Sequence, residues 1–396
     1  MKELAVALTL TLLVQAMISM TALTPAVLAP VAQADVGVAG SSIGIFTALV
    51  YAAAMLSAPL GGTIIARRGA VRVSQYCLLF SGGGLALCAL AYPAALAAGA
   101  LLIGCGYGPA TPASSEILVA RTPERVRNLI MSIRQTGVPV GGAIAGMVVP
   151  MLLLAVGWKA VALVIAMLCI LCALGLEAVR GRYDRVRHDA PQTPQPSLAS
   201  LLRMVFAHAE LRQGALASFT YAGMQLCLAS FLVVFLTERA ELTLINAGFA
   251  LSAAMIGGVV GRVLWGVAAD YIGSARIVLG TLGIVMALSA CVMSQVTPGW
   301  PLLAIGVLCA VFGATAIGWN GVYIAEIARI MPGGNVALAT GASLAFTYSG
   351  VVAMPFLFWL IVIVSASYAI AFITVGVLTL AAGVSYFFVR AAPRAA

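Results

Sequence analysis

Gly62-Thr63-Ile64-Ile65-Ala66-Arg67-Arg68-Gly69-Ala70-Val71-Arg72 and Gly266-Val267-Ala268-Ala269-Asp270-Tyr271-Ile272-Gly273-Ser274-Ala275-Arg276 are two versions of one loop, half a chain apart. Each joins two long apolar runs, so the sequence reads as an internal repeat whose unit carries six such runs. A second echo supports this: Thr136-Gly137-Val138 in the fifth run answers Ser349-Gly350-Val351 in the eleventh. Runs of about 20 apolar residues match the roughly 30 Å hydrocarbon layer of a bilayer, and backbone groups in lipid must be satisfied within the segment, so each run is expected to be a helix.

Composition agrees. Of 396 residues, 63% are apolar and 8% are Asp, Glu, Lys or Arg, and the mean hydropathy is +1.10. Soluble domains carry about 25% charged residues to cover a wet surface. The chain is therefore expected to be an all-α membrane protein of twelve transmembrane helices in two pseudo-symmetric six-helix bundles. Helices are expected near 4–29, 41–65, 72–92, 94–120, 128–155 and 159–179, then 213–236, 244–268, 275–295, 301–327, 336–363 and 367–389. Residues 1–179 form the first bundle, 180–212 a hydrophilic cytoplasmic linker with both histidines, and 213–396 the second bundle. Lys2, an apolar run and Ala32-Gln33-Ala34 also resemble a signal peptide, but the run is about twice a usual h-region and its removal would break the repeat, so a retained helix is expected.

With Lys2 inside, the arginines of the short loops fall on one side and only Lys159 and Arg239 on the other. This is the positive-inside bias, with both termini cytoplasmic. The net charge of +9 is thus a topology signal and not a nucleic-acid surface. The eight cysteines sit within apolar stretches, and Cys169-Ile170-Leu171-Cys172 has no nearby histidine or second pair, so neither metal nor cofactor is expected.

The loop pair resembles the signature of the major facilitator superfamily, Gly-x-x-x-Asp-(Arg/Lys)-x-Gly-x-(Arg/Lys)-(Arg/Lys). The second copy keeps Gly266, Asp270, Gly273 and Arg276; the first keeps Gly62, Arg67, Gly69 and Arg72 but has Ala66 in place of Asp. The resemblance implies alternating access between the bundles, with these residues acting as a cytoplasmic latch that is altered at position 66. Arg134-Gln135-Thr136-Gly137-Val138-Pro139-Val140-Gly141-Gly142 is similar to the helix-5 motif of the family's antiporters, which gives Gly137 and Pro139 a gating role. Small residues let helices approach and proline leaves a bend, the physical basis of such a role.

Ionisable groups inside a span cost about 2.5–3.5 kcal/mol or more, so each demands a reason. Arg262 lies eight residues before Asp270, roughly 12 Å deep at 1.5 Å per residue. It resembles the helix-8 arginine with which monocarboxylate and nitrate porters hold an anion, and a guanidinium fork suits a carboxylate. Arg134 and Glu116 lie at similar depths on neighbouring helices. They are expected to form an ion pair, or to act as a second anion ligand and a proton carrier. Glu326, three residues before Arg329, is expected to snorkel to the interface. Gln15, Tyr51, Tyr107, Gln225, Trp319, Asn320, Tyr323 and Tyr348 are candidates for a mixed polar and apolar pocket.

These readings converge on a secondary transporter of a small organic anion, such as a monocarboxylate, in a bacterial inner membrane. It is expected to be driven by protons or a counter-moving anion and to function as a monomer in the lipid bilayer. Export of hydrophobic drugs is the alternative that the helix-5 motif suggests. A non-transporting sensor is a further alternative, and no constellation for enzyme catalysis is present.

Overall fold

The computed structural model describes residues 2–123, 126–184, 203, 205–330 and 336–388. These are helical almost throughout. In order they form α1 (Lys2–Val36), α2 (Ile43–Arg68), α3 (Ala70–Cys88), α4 (Pro93–Val119), α5 (Arg127–Gln135), α6 (Gly137–Val156), α7 (Trp158–Tyr183), α8 (Ala209–Glu238), α9 (Leu244–Ile272), α10 (Ala275–Met293), α11 (Leu302–Gly318), α12 (Asn320–Ile330), α13 (Val336–Ser365) and α14 (Tyr368–Phe388). Among the described residues, 11 helical segments are long and apolar enough to cross a membrane. The α3 helix has 19 residues and falls outside that set. Ser74, Gln75 and Ser81 dilute its apolarity, and all three are buried.

Two expected helices are broken. The fifth run divides at Thr136 into α5 and α6, because Pro139 has no N–H for the Gln135 carbonyl. The tenth divides at Trp319 into α11 and α12. The first helix runs on to Val36, with Pro25 and Pro30 inside it. Most of the expected linker, at 185–202 and 204, lies outside the described residues, as do Arg125, Arg390 and Arg394 among the expected cytoplasmic cations.

Two compact units divide the chain. Unit 1 is Met1–Gln192 with Ala229–Ser252, and unit 2 is Thr193–Leu228 with Ala253–Ala396. In unit 1, α1 contributes Ala7, Val14 and Ile18 to a core shared with Val73, Leu78, Ala113, Leu118, Cys169 and Leu176. The glycines of α4 set its distance from two neighbours. Gly104 and Gly108, one turn apart, meet the backbone of α2 at Val50 and Ala54, whereas Gly99 and Gly106 meet α3 at Gly84 and Cys77. A side chain at any of the four would collide with a carbonyl oxygen, which explains a glycine at each by packing alone.

Candidate functional site

In unit 1 the site grows from the end of α5. Gly137 and Gly141 follow the helix break and lie against α1. A Cβ at Gly137 would come 3.0 Å from Gln15 Cβ, and one at Gly141 would strike the Ala16 carbonyl. This close approach brings Arg134, 1% exposed, to Gln15, also 1% exposed. Arg134 Nη2 donates to Gln15 Oε1 at 2.6 Å and to Thr111 Oγ1 at 3.3 Å, with the Ala110 carbonyl at 3.4 Å. Gln15 Nε2 in turn donates to Ser19 Oγ at 3.2 Å. On the same helix as Thr111, Tyr107 packs edge-on against Tyr51, ring centres 5.2 Å apart.

Glu116, the expected ion-pair partner of Arg134, is instead exposed on α4. Helical geometry gives the reason. Ala110 and Thr111 meet Arg134, and five residues at 100° each turn Glu116 about 140° away from Thr111.

In unit 2 the site lies at the break between α11 and α12. Gly257 and Gly261 of α9 abut the backbone of α11 at Ala310 and Ala314, and Gly313 of α11 abuts Ala254. At this separation Arg262 Nε donates to the Ile317 carbonyl at 3.3 Å, and Trp265 Nε1 to the Ala314 carbonyl at 2.7 Å. Asn320 Nδ2 reaches the same Ile317 carbonyl at 3.4 Å. Trp319, 1% exposed, packs edge-on against Tyr221 and at a tilt against Tyr323, with centroid separations of 5.7 and 5.3 Å. Its indole N–H is buried with no partner among the described residues. Arg262 and Asn320 therefore meet at the Ile317 carbonyl, while Trp319, next to Asn320 in the chain, turns its ring to Tyr221 and Tyr323. Gln225 and Tyr348 are half-buried on α8 and α13.

The two loop copies differ from expectation in what they hold. Asp184, just beyond α7, accepts hydrogen bonds from the backbone N–H of Val71 at 2.6 Å and of Arg72 at 3.2 Å. It thereby supplies a negative charge at the N-terminus of α3, a favourable place for one. Gly69, at φ +91°, leaves the space that the Asp184 carboxyl fills. Burial raises the Asp184 pKa above the usual carboxylate range, while the two N–H groups and Arg72 pull it down. Arg72 also pairs with Glu177 at 3.3 Å within unit 1. In unit 2, Arg276 pairs with Glu210 at 3.8 Å and stacks 5.8 Å from the Tyr386 ring centre. Arg67 and Asp270 are exposed, Gly62 and Gly266 have open space around them, and Gly273 takes φ +69° at its turn.

Glu326 overturns its expectation outright. It is 2% exposed, and Arg329 comes to it, with Nε to Oε2 at 2.8 Å and Nη2 to Oε1 at 2.7 Å. Arg329 Nη2 also lies 3.3 Å from Glu210 Oε2. Three residues along a helix put both groups on one face, so the arginine stem bridges outward and the acid stays buried. Thr111, Trp265, Asp184 and Glu210 were not singled out in the sequence. Only Thr111, a hydroxyl one turn after Tyr107 on a glycine-rich span, carried a local signal.

The sequence matches the family model of the Major Facilitator Superfamily over residues 9–326. No curated protein matches it. Among solved structures, a bacterial homolog to the human lysosomal transporter Spinster, inward-facing and unoccupied, superposes with a TM-score of 0.78 at 15% identity, covering 98% of this chain and 96% of the other. The same homolog in its inward-facing and occupied conformation gives 0.74 at 16%, covering 97% and 96%. Those identities speak for the fold alone, whereas the family match spans most of the chain. The chain belongs to the major facilitator superfamily and is a multi-pass, all-α membrane transporter of small solutes.

Proposed function

We propose that this transporter moves a small organic anion, a monocarboxylate or a close relative, by alternating access between two six-helix halves, 1–179 and 213–396, joined by the 180–212 linker. The observation that carries the reading is Arg134, a buried guanidinium near the start of the apolar span Ile133–Val156 and hydrogen-bonded to Gln15 and Thr111. Such a group presents a fixed positive charge with parallel donors, which matches a carboxylate. Arg262 serves as the anion ligand of the other half, beside Trp319 and Asn320, with Tyr107, Gln225 and Tyr348 as further contacts. The placement of cations supports a bacterial inner-membrane orientation with both termini cytoplasmic, and the monomer is the working unit.

The test is thermal unfolding of the purified protein against small carboxylates, inorganic anions and cationic drugs. A ligand at about 100 times its dissociation constant adds roughly 2.7 kcal/mol of stability. Stabilisation by a carboxylate in the wild type, lost in Arg262→Ala and in Arg134→Gln, is the expected result. The break between α5 and α6 at Thr136, within the stretch similar to the antiporter motif, favours drug export as the second reading. Stabilisation by cationic drugs alone, unaffected by Arg262→Ala, would establish that reading in place of the first.

A further inference from the structure

No proline lies within α11 or α12, yet the helix breaks between them at Trp319. Without proline, a helix breaks where a side chain enters its ladder of hydrogen bonds, and here two do. In a continuous helix the Ile317 carbonyl would accept from the Gly321 N–H, four residues on. It accepts instead from Arg262 Nε at 3.3 Å and from Asn320 Nδ2 at 3.4 Å. Asparagine is a residue that competes with the ladder in this way, but the arginine belongs to α9. The neighbouring helix is seated closely enough to reach in. Gly318, the last residue of α11, lies against the Gly261 backbone and the Trp265 ring, and Trp265 Nε1 holds the Ala314 carbonyl at 2.7 Å. Gly321 is exposed with nothing within 4 Å of the place for a Cβ, so the first turn of α12 has room to move.

We propose that the Ile317 carbonyl is a switch through which ligand binding at Arg262 remakes the helix between α11 and α12. This rests on the reading of Arg262 as an anion ligand and adds what the chain does when the anion arrives. Both contacts on the carbonyl are longer than the usual ~2.9–3.0 Å. A guanidinium–carboxylate pair is shorter and about twice as strong as a bond between neutral groups. An anion at Arg262 therefore draws the guanidinium off the carbonyl, which takes the Gly321 N–H in its place. The two helices then join into one. Trp319 packs on Tyr221 of α8, and the Tyr323 hydroxyl of α12 is hydrogen-bonded to Ser343 of α13. Joining the helices thus passes the event at Arg262 on to α8 and α13. One carbonyl with two alternative donors is the bistable element that such coupling needs.

The test is backbone hydrogen exchange of the purified full chain, followed by mass spectrometry in peptides that cover residues 318–323. Its first arm needs no ligand. Arg262→Met keeps the stem of the side chain and removes the donor, so exchange at 320–322 is expected to slow about fivefold, the size expected of one net hydrogen bond. Asn320→Ala removes the other competitor and is expected to shift exchange the same way, which covers an arginine variant that fails to fold. The break at Thr136 stands on Pro139 and is expected to exchange alike in the wild type and both variants. Unchanged exchange at 320–322 in whichever of the two variants folds overturns the switch. In the second arm, lactate is expected to slow the same amides in the wild type and not in Arg262→Met. Lactate that raises the melting temperature but leaves exchange at 320–322 as it was overturns the switch and keeps the anion reading. If neither lactate nor any other small carboxylate raises the melting temperature, the anion reading fails and the ligand step of the switch with it, while the first arm still decides whether Arg262 holds the break.

Discussion

Single residues carry charge in this protein in ways that depend on which helix face they occupy. Glu116 and Glu326 look alike along the chain, each an acid a few residues from an arginine, yet one is exposed and the other is buried in a bridged network. Asp184 shows the same dependence. Position 66, where the family has Asp, is alanine, and an acid more than a hundred residues away caps the start of α3. Asp184→Ala should lower stability by about 1 kcal/mol, the usual cost of losing a helix cap, read from thermal unfolding. Its pH dependence has a definite sign. Burial raises the carboxyl pKa in the folded state above its unfolded value, so the protonated form favours folding and that contribution is lost as pH rises through the folded pKa. The wild type is expected to lose stability relative to Asp184→Asn across the range just above ordinary carboxylate values. Parallel melting curves for the two proteins over that range would refute it.

At the scale of elements, glycine decides distances and the breaks decide where functional groups sit. Gly261 is needed because its Cβ would strike the Ala314 carbonyl, and its neighbour Arg262 reaches Ile317 only at that separation. Gly266, one of the loop-signature glycines, has nothing within 4 Å. The pair gives opposite expectations for the same substitution. Gly261→Ala overpacks the contact and should cost about 1–3 kcal/mol, and it should also remove the carboxylate-induced rise in melting temperature. Gly266→Ala removes a flexible residue from a helix and should be neutral or stabilising by up to about 1 kcal/mol. Melting temperatures of the two variants, with and without carboxylate, check both. Of the two breaks, that at Thr136 was legible in Pro139, whereas the one at Trp319 has no proline behind it and no signal we can name in the sequence.

For the whole molecule, the cation bias makes orientation in the membrane a testable expectation. Lys159 and Arg239 are the two cations expected outside, and Lys159 is held 3.5 Å from Asp35 at the end of α1. A fluorescent protein fused after Ala396 is therefore expected to fluoresce in bacterial cells, and alkaline phosphatase fused there to be inactive. Phosphatase inserted between Gly157 and Trp158 should be active. The reverse pattern would invert the topology and with it the direction assigned to the loop signatures.

What the sequence alone determined was everything that depends on local period and composition. Twelve apolar runs, the doubled loop and the cation bias were readable because helix length in lipid, backbone satisfaction and charge placement are properties of contiguous residues. Candidate polar residues were readable too, since a charge within an apolar run stands out wherever it points. Which of them meet was decided by tertiary structure. Arg134 with Gln15, Arg262 with the Ile317 carbonyl, Asp184 with α3 and Arg329 with both Glu210 and Glu326 are partnerships between segments far apart in the chain or set by helix phase. A one-dimensional pattern specifies how deep a side chain lies, but its direction depends on the packing of neighbouring helices, and in a membrane that direction separates an exposed acid from a buried one.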